Sequence, residues 1–340
     1  QNTITSAARA QAIQENRRTT RNKFIPPHSS DPPCHPSVIE SALKSDTKSC
    51  MTDNQLQLLR KRWNEAHPED AIPNNLHKTK LWHALKKAIK MCHTEKINGS
   101  EFCWIHQPFV PQKERTALSA RFRPAAPGGW LERPTTWLDS NNIYENLKQL
   151  TEKYPRFDTI YPSPIDFDKR IHDKFTHRDA CVVDDLCALN VKSDLLAKDK
   201  TALGVVFNLD PHDKPGSHWV ALFVELAGSS PGAYYWDSYG YPAPRRIKVL
   251  MNRIQNQEIA RGNTNFILRE NEVRHQYRGS ECGMYSLYFI TSMLEGRSFD
   301  DICDNVVDDE TINEMRHVYF AFGNQNSSNN TNNYPDNSNN

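Results

Sequence analysis

No stretch of this 340-residue chain approaches the roughly 18 to 20 consecutive apolar residues that a membrane-spanning helix needs. The longest candidate, Leu287 to Leu294, is interrupted by Thr291 and Ser292, so a soluble protein is expected. The chain also lacks an excess of either charge: 42 Lys and Arg face 41 Asp and Glu. Whole-chain charge therefore gives no argument for a nucleic-acid or anionic-membrane partner. No hydrophobic signal segment precedes the eight irregularly placed cysteines. Together these read as reduced thiols in a cytosolic compartment rather than a secreted disulfide framework, which leaves a thiol available as a nucleophile. The chain opens at Gln1 rather than Met, as a processed product or a fragment would.

Composition divides the chain into four parts. Residues 1–45 are polar, with a basic run from Arg17 to Lys23 and prolines at 26, 27, 32, 33 and 36, so a flexible basic arm is expected. Such an arm could touch nucleic acid, although a solvated linker is the simpler explanation. Residues 46–120 carry apolar positions at helical spacing, first Leu56, Leu59 and Trp63, then Leu81, Trp82, Leu85 and Ile89, which predicts a helical accessory domain. Residues 121–322 are expected to form a second, larger core, and the Asn-rich tail 323–340 is expected to be disordered. Cys92, His93, Cys103 and His106 suggest a zinc site at first sight. Their spacing departs from that of structural zinc sites, and neither a metal nor a cofactor is expected.

Within the core, Asp139 or Ser140 can cap a helix through Tyr154 whose Ile143, Leu147 and Leu150 share a face. Three runs rich in Val, Phe, Tyr and Trp follow, from Leu203, His218 and Ala233, and predict neighbouring strands. A helix from Pro244, a strand near Asn265 and a buried helix from Cys282 to Leu294 complete the pattern. The fold class is α+β, a central mixed β-sheet flanked by helices.

His218, Asp237 and Cys282 occur in that order, separated by 19 and 45 residues, and Gln276 lies six residues before the cysteine. A cysteine hydrolase needs a thiolate, which a helix N-terminus and a neighbouring imidazolium both favour. Cys282 supplies the nucleophile and His218 the base. Asp237 holds the imidazole in the useful tautomer and rotamer. The side-chain amide of Gln276 and the backbone N–H of Cys282 would stabilise the oxyanion. His275 competes as a base by proximity, but an extended strand would turn its ring to the opposite face from Gln276.

These motifs, Gly216-Ser-His-Trp-Val-Ala-Leu-Phe-Val224, Tyr235-Trp-Asp-Ser238 and Gln276 through Leu287, resemble the SUMO-specific and adenovirus-type cysteine protease clan. Within it, the resemblance is closest to the polyprotein-processing proteases of African swine fever virus and its relatives among large double-stranded DNA viruses. It extends over roughly residues 120 to 322, including Val205-Phe-Asn-Leu-Asp-Pro and Val307-Asp-Asp-Glu310. It implies a papain-like core with an N-terminal helical arm domain, and cleavage after Gly-Gly in viral structural polyproteins during virion maturation. It also implies a place at assembly sites in the host cytoplasm and in the virion, with virion core components as candidate partners of the helical arm. Trp219 would roof a narrow cleft that admits only glycines. One departure is the third triad position, an Asn in the swine fever virus enzyme and Asp237 here. Gly128-Gly129-Trp130 makes cleavage in cis conceivable, while a turn before an apolar anchor explains it without function.

Other readings use the same residues. Removal of SUMO or another ubiquitin-like modifier would need a broad docking surface besides the cleft. Acyl transfer would need an acetyl cofactor. A non-catalytic virion or nucleic-acid-binding protein would rely on the basic arm and leave the triad idle.

Overall fold

The computed structural model describes residues 32–92, 100–173 and 178–322. The basic run 17–23, His93 and the Asn-rich tail lie outside them. Among the described residues no helix is long and apolar enough to cross a membrane, and no cluster of His, Cys, Asp and Glu could hold a metal ion.

The N-terminal region contains α1 (Ile39–Leu43), α2 (Asp53–Ala66), α3 (Lys78–Ala88), α4 (Glu101–Ile105) and α5 (Gln112–Ser119). Thr52 caps α2 through a reciprocal box with Gln55, which satisfies donors that a helix start leaves open. Leu56, Leu59, Trp63, Leu81 and Leu85 meet Trp104 and Ile105 in one apolar cluster. Glu101 is buried at its centre, accepting hydrogen bonds from Ser49 Oγ, the Cys50 N–H and Trp82 Nε1. Burial pushes its carboxyl upward, against the pull of those three donors and Lys78.

Two expectations change here. Residues 32–45 are not part of a free arm: Cys34 bridges to Phe122 and is buried with Val38 and Ala42. The cysteines are also not all reduced thiols, since Cys34–Cys50, Cys92–Cys103 and Cys181–Cys187 are disulfides and only Cys282 and Cys303 are free. The Cys92–Cys103 pair explains the spacing that looked wrong for zinc. The physical reason for both changes is that a small helical layer gains from tethering its leading segment to a core that is modest in size.

In the core, α6 (Ser140–Lys153) begins at Asp139, whose carboxylate accepts the Asn142 N–H at 2.8 Å. Strands β1 (Phe157–Thr159) and β2 (Ser163–Pro164) lead to the hairpin of β3 (Arg170–Asp173) and β4 (Arg178–Cys181), then to α7 (Asp184–Cys187). The central strands are β5 (Ala202–Asn208), β6 (Trp219–Glu225) and β7 (Gly232–Trp236). Helix α8 (Arg245–Ala260), strand β8 (Ile267–Glu270), and helices α9 (Cys282–Leu294), α10 (Phe299–Asp304), α11 (Asp309–Glu314) and α12 (Arg316–Tyr319) complete the chain.

The main sheet runs β1-β5-β6-β7-β8, with β2 also beside β5. Pairs β5–β6 and β6–β7 are antiparallel, whereas β1–β5 and β7–β8 are parallel. Continuously buried strands imply cover on both faces. Val206, Ala221, Phe223 and Trp236 join α6 and α9 on one face. Val205, Leu222, Val224 and Tyr235 join α8 on the other. Helix α9 approaches closely at Gly204, where an added Cβ would come within 2.9 Å of the Phe157 ring and 3.2 Å of Ile290.

The double variant Cys34→Ser/Cys50→Ser is expected to lose about 3 kcal/mol of stability, from the loop-closure entropy of the unfolded chain. Chemical denaturation reads this directly. An unchanged midpoint would mean that the bridge does not constrain the unfolded state.

Candidate active site

Antiparallel pairing of β6 with β7 places Ala221 opposite Trp236. Continued past the strand ends, this register sets His218 across from Tyr239 and diagonal to Asp237, a separation that side chains can bridge. The bridge is made: His218 Nε2 lies 2.9 Å from Asp237 Oδ1, and the Tyr239 N–H donates to the same oxygen at 2.8 Å. Asp237 is 1% exposed, and the Asn271 side-chain amide donates to its backbone carbonyl at 2.8 Å. The other face of the imidazole packs on Tyr239, with ring centroids 4.9 Å apart.

Cys282 is the first residue of α9. Its backbone N–H therefore has no partner within the helix, and its sulfur sits at the positive end of the helix dipole. The next residue must be small, because a Cβ on Gly283 would come within 3.0 Å of Leu138. Cys282 lies close enough to His218 to interact with its imidazole. Burial is the largest single influence on His218 and lowers its pKa, but the bonds to Asp237 and Cys282 together outweigh it and raise the imidazole to about 9. The histidine is thus held as imidazolium between two acceptors.

Gln276 is fully buried. Its Oε1 accepts from Ser238 Oγ at 2.6 Å, its Nε2 donates to the Arg278 carbonyl at 2.7 Å, and its backbone N–H donates to Ser238 at 2.9 Å. One of its two amide protons is therefore engaged, which leaves the second for an oxyanion. His275 is also fully buried, but its ring belongs to the core. Nε2 donates to the Cys303 carbonyl at 3.2 Å, Nδ1 accepts from the Val307 N–H at 3.3 Å, and Trp236 packs at 4.8 Å. Burial lowers its pKa to about 4. The separation of His275 from Gln276 does not come from a pleated strand, because both backbone N–H groups bond the Ser238 carbonyl.

Trp219 differs from its expected role as a roof. It is 7% exposed, and its indole N–H donates to the Leu138 carbonyl at 2.9 Å. It anchors the wall and still borders a cleft of about 550 Å³ shared with Trp137, Leu138, Tyr161 and Gly216. The exposed tryptophan there is Trp137, at 48%. Sequence analysis gave it no role; an indole just before the helix that packs near Cys282 was the available signal. Glu281 was missed as well: it is fully buried beside the sulfur and takes hydrogen bonds from the Ser280 N–H and hydroxyl.

Residues 147–316 match the Ulp1 protease family, C-terminal catalytic domain. The chain belongs to this cysteine protease family. It is 32% identical over 232 residues to a thiol protease of Acanthamoeba polyphaga mimivirus, covering 66% of this chain and 70% of that protein. It is equally identical over 228 residues to a cysteine protease of African swine fever virus, covering 65% and 82%. The crystal structure of the African swine fever virus protease superposes with a TM-score of 0.57 at 20% identity, over 86% of this chain and 97% of that one. The superposition shows the same fold, a mixed sheet flanked by helices with an N-terminal helical region.

In this family member, the peptidase rate is expected to fall on its alkaline side near pH 9, where His218 loses its proton. An alkaline limb near neutrality would contradict the contacts with Asp237 and Cys282. By linkage, the stability from a raised histidine is present below its ordinary pKa of about 6.5 and is lost as pH climbs through the folded value. For His275 the sign is reversed: its contribution is complete above about 6.5 and is lost on acidification, roughly 3 kcal/mol in all. Thermal melts at neutral and mildly acid pH should therefore diverge less for His275→Gln than for the wild type.

Proposed function

We propose that this protein is a viral endopeptidase that cleaves after Gly-Gly in structural polyproteins during virion maturation, acting at cytoplasmic assembly sites and within the virion. The observation that carries the reading is the cleft walled by Trp137, Gly216 and Trp219, the last two of which flank His218 in the chain. Two indoles facing an extended chain leave room for residues without side chains. A further support is Gly216, which borders the cleft with φ +103 and lets the chain turn back just before His218.

In the proposed reaction the Cys282 thiolate attacks the carbonyl carbon, and the carbonyl π electrons move to oxygen. The Cys282 N–H and the second Gln276 amide proton stabilise that charge. The tetrahedral intermediate collapses, the C–N bond breaks, and the His218 proton passes to the departing amine. Water, deprotonated by the now neutral His218, attacks the thioester and releases the acid and the thiolate. Asp237 keeps the imidazole aligned and its positive charge compensated throughout.

Gly128-Gly129 itself does not offer an extended substrate. Gly128–Leu131 is a short 3-10 turn, and Trp130 is buried against Phe320. Cleavage in cis would require that anchor to unpack.

Purified protein is expected to cut Gly-Gly polyprotein junctions, and Cys282→Ala to abolish cutting. Gln276→Ala should lower kcat by about 10² to 10³. Parallel assays with a SUMO-conjugated protein distinguish the modifier reading: efficient cleavage there, with none at polyprotein junctions, would replace the proposal.

A further inference from the structure

The cleft bordered by Trp137 is also lined by Gly216 and Trp219, which flank His218 in the chain. Neither Tyr239 nor Arg274 nor Tyr277 lines it, yet Tyr239 packs at a tilt against the His218 ring, with centroids 4.9 Å apart. A substrate chain drawn across Cys282 has two ends. If its acyl end fills the cleft, the amine end departs past the imidazole that protonates it, over Tyr239.

That route has a built floor. Arg274 lies over the Tyr239 ring at 5.4 Å and over the Tyr277 ring at 4.5 Å. Its Nε donates to the Gln276 carbonyl at 2.8 Å, which fixes the guanidinium plane and leaves its outer edge facing solvent. The side chain is exposed, and no carboxylate pairs with it among the described residues. Tyr277 is 69% exposed and Tyr241 62%, with Tyr241 5.9 Å from Tyr239. These aromatic rings are not mobile decoration. Buried Asp309 accepts both the Tyr277 and Arg278 N–H groups at 2.9 Å, and the Tyr239 hydroxyl donates to the Arg278 carbonyl at 3.1 Å.

We infer that Tyr239, Arg274 and Tyr277 form the docking platform for the leaving segment of the substrate, and that its occupant is an extended peptide with a carboxylate side chain within about three residues after the cut. The inference rests on the Gly-Gly endopeptidase reading and adds its downstream specificity. Ring faces support an extended backbone, and a guanidinium held near two rings and by the Gln276 carbonyl presents its free edge to a carboxylate with little ordering left to do. The pair forms at the rim, so it selects among substrates rather than providing most of the affinity.

The test uses full-length protein, quenched Gly-Gly peptides carrying Asp, Ala or Lys at the second position after the cut, and a Gly-Gly aminocoumarin with no leaving peptide. Wild type should favour Asp over Lys by about fivefold in kcat/KM, the scale of one exposed ion pair. Arg274→Gln should bring the ratio near one, and Arg274→Glu should invert it. Because the readout is a ratio within each variant, a general loss of activity from the Gln276 contact does not alter it. An Asp to Lys ratio that is flat in wild type or unchanged by Arg274→Glu overturns the inference while coumarin cleavage upholds the Gly-Gly reading. Failure of wild type to cleave coumarin and peptides alike overturns both.

Discussion

Burial of helix α9 against the sheet is the constraint on which the rest of the structure depends. From Cys282 to Ser292 every residue is buried, so the helix cannot slide or rotate without exposing apolar surface at about 25 cal/mol per Å². Its first residue carries the sulfur. The close approach at Gly204 sets the helix height above β5, and the contact of Gly283 with Leu138 ties its start to the segment before α6. Cys282 is positioned by core packing rather than by a loop, which keeps it within reach of His218 just before a neighbouring strand.

Charge around the sulfur is more balanced than a thiolate–imidazolium pair alone suggests. Asp237 and Glu281 are both buried, and His218 and Arg316 face them. Arg316 lies over Trp130 at 4.5 Å, with its Nε donating to Asn313 at 2.7 Å. Burial draws the guanidinium down to about 10, against the pull of Glu281 and Cys282. The second buried histidine, His275, stays neutral and adds no charge. Only one imidazole is therefore available to exchange protons with the sulfur.

The N-terminal helical region is joined to the protease core by polar and backbone contacts as well as by apolar packing. Gln149 of α6 donates to the Phe122 carbonyl at 3.0 Å, and His35 lies 3.3 Å from Glu152. Ala125 and Ala321 form a parallel bridge, bringing the connecting segment against the end of the core. Two of the three disulfides lie in this region. Its own core is built around Trp104 and the buried Glu101. Large motion of this region relative to the core would cost those contacts.

Periodicity and turn residues were enough to locate α6, α8, α9 and the three central strands, because each is a long run with one dominant pattern. Order and spacing likewise marked His218, Asp237, Gln276 and Cys282, since the chemistry needs those residue types on successive elements of one sheet and helix. Short elements such as β1, β2 and α10 to α12 carry too few residues for a pattern to emerge. The cysteine pairing was illegible because a disulfide depends on the distance between Cα atoms, which spacing alone does not give. Trp219 and Trp137 exchanged prominence for a similar reason: sequence shows that an indole is present, but only packing decides which indole is exposed. The sequence by itself determined the candidate reacting groups, His218, Asp237, Gln276 and Cys282, and their order. The tertiary structure decided their neighbours, namely Tyr239 on the imidazole, Arg316 near the sulfur and Arg274 beside two rings, because those contacts depend on folding that no local pattern encodes.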